Sequence, residues 1–341
     1  MNKVFIIVLL SCLLNISCVD ENVNMVPIQP PTPFPEQILT VAVNDSIHQI
    51  LSNSKMGVWN RNTIFCIAPL RKITLDNNLH KIKDSLVDRS RWKFLTMNNS
   101  GTKLLLVQSL YSDVSMGALF EFDISSGTKT LLKDSSYNIS SSRFFTSDDR
   151  CIYYCYGNNS KGILAGYYVL DIPSKNDTLL FQHESETGPL EIANGFDISP
   201  DKATLLYPIH YYSQFPIIVQ YNINSKTSET LNVPLGKQFL WLRYHPSENK
   251  IVYSNYPRGS GGNFSFDTSE VGQINMQTLA KTILPVNTNT PGYCYGVGSI
   301  NTFPDWSSDG NHIVYGSSPG PDREPPAFVG NASLYILKNV R

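Results

Sequence analysis

Charge is scarce in this sequence of 341 residues: 27 Lys and Arg and 28 Asp and Glu make up only 16% of the chain. The formal net charge of −1 excludes the basic surface that a nucleic-acid-binding protein needs, so no nucleic-acid partner is predicted. The sequence also lacks a His-Glu-x-x-His motif, a phosphate loop, an EF-hand loop and any Cys/His spacing typical of zinc. We therefore predict no cofactor and no metal site.

Long hydrophobic runs are also missing. The apolar stretch Val4–Leu14 is too short to cross a membrane as a helix. Because Lys3 gives this stretch a positive start, it is typical of a cleaved signal peptide, which we assign to residues 1–17.

The segment after this stretch, Asn15-Ile-Ser-Cys18, resembles a bacterial lipobox with Cys18 as the lipidated residue, although lipoboxes usually have Leu where Asn15 stands. Leu9-Leu-Ser-Cys12 fits the lipobox letters better, but it leaves a very short apolar core. An ordinary secretory signal with an incidental cysteine is the other interpretation. Residues 18–36 are Pro-rich and predict an extended tether between a lipid anchor and the folded part, residues 37–341.

Cysteine is rare in the remaining chain, with only Cys66, Cys151, Cys155 and Cys294 after Cys18. Cys151 and Cys155 lie on one predicted strand, where four residues span roughly 13 Å, too far for a disulfide. We predict that both are buried as apolar residues.

The sequence does contain many residues typical of β-strands, including 18 Tyr and 16 Phe, and a short motif that recurs along the chain. Gly117-Ala-Leu-Phe-Glu-Phe-Asp123 returns as Gly166-Tyr-Tyr-Val-Leu-Asp171 and then more faintly elsewhere. The aligned positions are Asp76, Asp123, Asp171, Asn222 and Asn275. Because they recur about every 50 residues, the sequence predicts a repeat architecture.

A second pattern divides each repeat: a polar turn followed by an apolar strand, as in Ser199-Pro-Asp-Lys-Ala-Thr-Leu-Leu-Tyr207. Together with the strands of the first recurring motif, this gives each unit four strands, A to D, which is the number in a β-propeller blade. Six A–B turns are predicted, near Asn62, Gly101, Asp149, Asp201, Glu248 and Asp309. The sixth unit ends early, and we predict that Ile38–Val43, within residues 37–45, supplies its fourth strand and closes the ring.

Two turn segments, Phe196–Tyr207 and Phe303–Tyr315, resemble the repeat of TolB-like β-propellers. The resemblance covers roughly residues 45–341 and implies an all-β, six-bladed propeller of four-stranded antiparallel blades. Proteins with such repeats include periplasmic translocation proteins, peptidase propeller domains and binding lipoproteins. We expect the propeller alone, without the N-terminal domain of TolB and without a peptidase domain.

Topology predicts where a ligand binds. The A–B and C–D turns are short and lie on one face, whereas the B–C and D–A loops on the other face are long and irregular, which usually marks the binding side. Aromatic and cationic residues of this loop face are the candidate ligand-binding residues: Tyr211, Tyr212, Tyr256, Arg258, Tyr293, Tyr295 and Arg323.

Other polar residues are predicted to be structural. Asp76, Asp123 and Asp171 precede the C–D turns and are expected to accept hydrogen bonds from turn amides. His245 and His312 lie in or beside A–B turns and are expected to be exposed.

The sequence therefore favours a non-enzymatic lipoprotein of the bacterial cell envelope. Its signal predicts a lipid anchor at the outer membrane, and its loop face is predicted to bind a glycan or a partner protein. The alternative is a propeller-fold polysaccharide lyase or hydrolase with its site at the channel mouth. No catalytic residue is assigned from the sequence. Two convergent carboxylates, or a carboxylate and a histidine, at that mouth would favour the enzyme.

Overall fold

The computed structural model describes residues 37–38, 47–52, 56–67, 69–109, 117–145, 147–183, 195–209, 217–233, 238–256, 270–286, 300–318 and 333–340. These residues form 25 strands and two single-turn 3-10 helices, Ser135–Tyr137 and Asn159–Lys161, and contain no α-helix. Nothing in these ranges could therefore cross a membrane as an apolar helix.

The strands fall into six four-stranded groups, here called units 1 to 6, in which consecutive strands pair antiparallel. Strands β1 (Gln37–Ile38) and β2 (Ile47–Ser52) precede the first unit. The strands of units 1 to 3 are β3–β6 (Gly57–Asn60, Thr63–Cys66, Leu70–Leu75, Lys81–Asp88), β7–β10 (Trp92–Met97, Lys103–Ser109, Gly117–Asp123, Lys129–Lys133) and β11–β14 (Ile139–Phe145, Ser147–Cys155, Gly166–Asp171, Asp177–Gln182).

Units 4 to 6 follow the same plan. Their strands are β15–β18 (Asp197–Ile198, Thr204–Ile209, Ile217–Asn222, Thr227–Leu231), β19–β22 (Gln238–Tyr244, Lys250–Tyr256, Glu270–Asn275, Lys281–Ile283) and β23–β25 (Ile300–Trp306, Ile313–Ser318, Ser333–Leu337) with β2 as the fourth strand. A single residue pair, Ile139 with Gly117, links units 2 and 3 into one eight-stranded sheet.

The closing strand is a correction to the sequence prediction. The fourth strand of unit 6 is β2, which pairs antiparallel with β25 from Ile47 opposite Leu337 to Ser52 opposite Ser333. In the predicted segment, residues 37 and 38 instead pair parallel with β22. The reason is chain length: strand D of one unit leads directly into strand A of the next, and β2 ends only four residues before β3 begins.

The first strands of the six units contact one another in cyclic order, and β23 of unit 6 contacts β3 of unit 1. Apolar cores lie between neighbouring units. The core between units 6 and 1 includes Trp59, Ile64, Val314 and Leu334. Because β-branched and aromatic side chains pack well between sheets, these cores hold the first strands around a central channel.

The predicted turn chemistry is present. The Asp123 carboxylate accepts hydrogen bonds from the backbone amides of Ser125 and Ser126 at 3.0 and 2.8 Å. The same arrangement recurs at Asp76, Asp171, Asn222 and Asn275. The sequence prediction for Asp76, Asp123 and Asp171 is therefore confirmed, and the side chains of Asn222 and Asn275 stabilise C–D turns in the same way. Cys151 and Cys155 are buried free thiols, also as predicted.

Candidate functional site in the central channel

The residues predicted to bind a ligand on the loop face all lie outside the described side chains. The backbone of Tyr256 ends β20, where it pairs with Gln238, and nothing further of this residue is described. The others are outside the described ranges: Tyr211, Tyr212, Arg258, Tyr293, Tyr295 and Arg323, together with the predicted lipidation site Cys18. The loop-face site remains a prediction.

The described residues instead contain a cavity of about 350 Å³ in the channel, where the first strands end and the A–B turns begin. Its walls include four charged side chains that come from the first strands of units 3 to 6: Arg143, Asp197, Arg243 and Asp305. This cavity lies at the turn end of the channel, away from the predicted loop face.

Aromatic rings form a layer beside the two arginines. Trp241 lies between Phe94 and Phe303, with ring centroids 5.5 and 4.7 Å from its own. The guanidinium carbon of Arg243 is 4.0 Å from the Trp241 ring centroid, and that of Arg143 is 4.8 Å from the Phe94 centroid. Cation–π attraction of this kind positions a guanidinium group without using its hydrogen-bond donors.

Arg143 and Asp197 form a buried ion pair between units 3 and 4. The Arg143 Nε donates to Asp197 Oδ1 at 3.1 Å, and the side chains are 7% and 13% exposed. The Tyr244 backbone amide donates to the other carboxylate oxygen at 2.8 Å. Burial raises the pKa of Asp197, although Arg143 and the amide hydrogen bonds oppose the rise. Both oxygens of this carboxylate are thus occupied.

Arg243 and Asp305 are paired less closely. The Arg243 Nε lies 3.9 Å from Asp305 Oδ1, beyond hydrogen-bond distance, with side chains 4% and 23% exposed. Arg243 Nη1 donates to the carbonyl oxygens of Leu242 and Phe196 at 2.6 and 3.3 Å.

Asp305 has the most perturbed carboxylate of the cavity. Its Oδ1 accepts from the Trp306 amide at 2.9 Å, and part of the carboxylate faces the cavity. The pKa of Asp305 is raised to about 7, chiefly by burial and also by the nearby Asp197, while Arg143 and the Trp306 amide oppose the rise. Asp305 can therefore carry a proton near neutral pH.

His245 is buried, which contradicts the expected exposure. Its Nδ1 accepts from the amides of Ser247 and Glu248 at 3.2 and 2.8 Å, so Nε2 carries the proton and donates to Gly310 O at 3.0 Å. Burial lowers the pKa of His245, which favours this neutral form. Nδ1 thus stabilises the A–B turn of unit 5, and Nε2 links it to the A–B turn of unit 6. His312 is half-buried and stacks on Trp59 with centroids 5.5 Å apart, which also differs from the prediction.

The repeat itself carries the signal that sequence reasoning missed. In units 2, 4, 5 and 6, the residue that begins the A–B turn donates its amide to the carbonyl five positions later, at Asn98, Ser199, His245 and Ser307. Two positions earlier, on the same side of the strand, are the cavity-lining residues Thr96, Asp197, Arg243 and Asp305. Both TolB-like segments contain such an aspartate, so aligning this position across these units would have found Asp197, Arg243 and Asp305.

The cavity side chains can bind a ligand through hydrogen bonds and charge. Within the described ranges, no group of three or more His, Cys, Asp or Glu side chains could hold a metal ion. Two carboxylates do converge on the cavity, which is the arrangement that would favour an enzyme. Asp197 accepts a hydrogen bond at each oxygen, however, and both ring nitrogens of His245 are hydrogen-bonded. Asp305, which accepts from the Trp306 amide and partly faces the cavity, is therefore the carboxylate best placed to exchange a proton with a ligand.

No protein-family model and no curated protein sequence matches this chain. Solved structures do match. TolB from Acinetobacter baumannii has a TM-score of 0.53 at 12% identity, over 86% of this chain and 63% of that chain. A putative TolB from Agrobacterium tumefaciens has a TM-score of 0.52 at 12% identity, over 84% of this chain and 91% of that chain. An oligogalacturonate lyase from Vibrio parahaemolyticus has a TM-score of 0.51 at 13% identity, over 84% and 78%.

These likenesses show the fold. The chain is an all-β protein with a TolB-like β-propeller fold, as its turn segments indicated. It spans less than two thirds of the Acinetobacter TolB, and at such low identity the likeness says nothing about activity.

Proposed function

We propose that this chain is a non-enzymatic binding protein of the bacterial cell envelope and that its ligand, a glycan or a partner protein, inserts a polar group into the central channel. The observation that carries this proposal is the cavity walled by Arg143, Asp197, Arg243 and Asp305. Buried charges are costly to maintain, and two cross-unit pairs facing one cavity supply the few, well-placed polar groups by which a pocket orients a ligand.

Binding is favoured over catalysis because most of the reactive groups already have partners. Hydrolysis of a glycosidic bond generally requires two carboxylates with separate roles. Asp197, whose pKa is also raised, accepts hydrogen bonds at both oxygens and pairs with Arg143, whereas the Asp305 carboxylate is more exposed and only loosely paired. One such group is enough to recognise a ligand but not to form an acid–base pair.

The envelope location rests on the sequence. Residues 1–17 have the pattern of a lipoprotein signal, Cys18 is the proposed lipidation site, and the Pro-rich segment 18–36 is the proposed tether to the outer membrane, on either its periplasmic or its outer side. Metabolic labelling with a palmitate analogue tests this assignment. Wild type should be labelled and sediment with membranes, whereas Cys18→Ala should lose both properties; a labelled Cys18→Ala protein would exclude Cys18 as the anchor.

The channel and the loop face can be separated by one binding experiment. A glycan array and a pull-down are performed with the wild type, with Asp305→Asn in the channel, and with Tyr256→Ala/Arg258→Ala on the loop face. Asp123→Asn, in a C–D turn, is the matched control for loss of a carboxylate. The proposal predicts that Asp305→Asn alters retention of the ligand and that Asp123→Asn does not. If only the loop-face variant alters retention, the ligand binds the loops and the channel proposal is wrong.

A second function is a polysaccharide lyase or hydrolase with Asp305 as its acid or base. The raised pKa of Asp305 in a cavity favours this alternative, and the structurally similar protein named as an oligogalacturonate lyase makes polysaccharides the substrates to test. Release of unsaturated or reducing chain ends by wild type, lost in Asp305→Asn and kept in Asp123→Asn, would establish it. No product from acidic or neutral polysaccharides would exclude this activity.

A further inference from the structure

The channel holds buried polar atoms that lack hydrogen-bond partners among the described residues. Next to the cavity these are Arg143 Nη2, Arg243 Nε and Trp241 Nε1. All three are N–H groups, which only donate. Because a buried donor without an acceptor costs roughly 1–3 kcal/mol, the missing component of this site is an acceptor.

The charge of the cavity walls favours an anion. Lys202 lines the cavity together with Arg143 and Arg243, so three cationic groups face two carboxylates. Asp305, with its raised pKa, is partly protonated near neutral pH, which makes the excess of positive charge larger. The two nearby carboxylates also limit the ligand's charge, because a dianion such as phosphate meets more repulsion than a monoanion.

We propose that the channel site binds the carboxylate group of an acidic sugar, with Arg143 and Arg243 as the donors and Asp305 as the residue that sets the pH dependence. This inference rests on the proposed binding function and names its ligand class. A carboxylate is planar, carries one charge and matches the fork of a guanidinium group. The rim of the cavity adds amide and hydroxyl groups suited to sugar hydroxyls, from Asn60, Asn99 and Ser308.

Entry of the carboxylate requires a local movement. All three donors are covered in the structure, so a ligand reaches them only after a neighbouring side chain moves. The Asp305 carboxylate makes only a loose ion pair with Arg243 Nε, at 3.9 Å, so its rotation would break that pair and the hydrogen bond from the Trp306 amide. A protonated Asp305 can then donate to the ligand carboxylate, whereas an ionised Asp305 repels it.

The pH dependence follows from the groups that face Asp305 or line the same cavity. Burial lowers the pKa of His245, which favours its neutral form. Affinity for the acid should therefore fall as pH rises through about 7, where Asp305 ionises. The other titratable groups lining the cavity are Arg143, Asp197, Lys202, Arg243, Tyr244 and His245.

The test is calorimetric titration of the folded chain with D-glucuronate and with D-glucose, which differ only in the carboxylate. Wild type should bind glucuronate about tenfold or more tightly than glucose, since charged hydrogen bonds exceed neutral ones by about that factor. The preference should weaken as pH rises from about 6 to about 8, a range that brackets the pKa of Asp305.

Asp305→Asn keeps the size of the side chain and removes its charge. It should strengthen glucuronate binding above pH 7 and flatten the pH dependence, while Asp123→Asn should behave as wild type.

Equal binding of the two sugars, or weaker glucuronate binding by Asp305→Asn, would overturn the inference. Binding of triglycine through its terminal carboxylate without binding of glucuronate would overturn the sugar assignment. If another ligand is retained through the channel while glucuronate is not, the proposed function stands and this inference alone fails; if no ligand in either experiment binds, both fail.

Discussion

The propeller contains two sets of aspartates at recurring positions of its units, one set in solvated turns and the other in the desolvated channel. The carboxylates of the C–D turns, such as Asp123, are partly exposed and accept hydrogen bonds from local Ser amides and hydroxyls. Those hydrogen bonds lower the pKa of Asp123 to about 2. The channel carboxylates Asp197 and Asp305 are desolvated, and burial raises their pKa values.

The recurrence of an acidic residue in successive units is therefore not evidence that the residue is functional. A turn carboxylate has its partners within four residues, so it serves the same role in units 1 to 3. A channel carboxylate depends on side chains from other units, as Asp197 depends on Arg143, 54 residues away in sequence.

Removing the cation of the buried pair should have the largest effect. Arg143→Met leaves Asp197 buried without its ion-pair partner, which should lower the free energy of unfolding by about 3–5 kcal/mol. Urea unfolding followed by tryptophan fluorescence measures this change. The double variant Arg143→Met/Asp197→Asn should recover part of the loss, since the uncompensated charge is gone. An unchanged unfolding free energy in Arg143→Met would show that the pair is not buried as described.

Two turn glycines give a matched pair. Gly127 in a C–D turn and Gly310 in an A–B turn both have φ near +70°, where a Cβ is strained. A Cβ at Gly127 meets no atom within 4 Å, whereas at Gly310 it would lie 2.2 Å from His245 Nε2. Gly127→Ala should cost about 1–2 kcal/mol and Gly310→Ala at least about 1 kcal/mol more, because the buried His245 hydrogen bond is also disturbed. Equal losses in thermal unfolding would contradict the close contact.

Asp305 should make stability depend on pH. Its pKa is raised by folding, so the protonated form is favoured in the folded state, and its contribution to stability is present below the unfolded pKa and lost as pH rises through about 7. The unfolding free energy of wild type relative to Asp305→Asn should therefore decrease between about pH 4 and pH 7. A difference that stays constant over this range would exclude a raised pKa.

Asp123 should show the opposite dependence and the smallest effect. Its pKa is lowered by folding, so its contribution is present above the unfolded pKa and is lost as pH falls toward about 2. Asp123→Asn should be slightly less stable than wild type at neutral pH, with the difference vanishing in acid. Because the side chain is partly exposed, a large loss at neutral pH would mean that the turn carries more than local hydrogen bonds.

Structural features with local causes could be predicted from the sequence. The Asp-Ile-Ser-Ser-Gly turn after Asp123, the buried Cys151–Cys155 strand and the four-strand unit all follow from short-range turn chemistry and strand alternation. The TolB-like segments then predicted the propeller correctly.

Features that depend on distant partners were missed. Exposure of His245 could not be judged from its own turn, because Gly310 of the next unit covers it. The closing strand was placed at residues 38–43 on hydrophobicity, whereas the distance to β3 requires Ile47–Ser52. Arg143 meets Asp197 only because β11 and β15 are neighbours at the channel, and a register shift near the end of β11 hides this from strand alternation.

The most direct test of the contrast between turn and channel is an NMR titration of the aspartate side chains in ¹³C-labelled protein, with Asp305→Asn and Asp123→Asn used for assignment. An unperturbed Asp titrates near pH 3.9, which gives the reference. We expect Asp305 to titrate well above this value, with a pKa of about 7, and Asp123 well below it, with a pKa of about 2. Titration of Asp305 at or below the reference value would contradict the assignment of the channel as the chemically distinct site of this propeller.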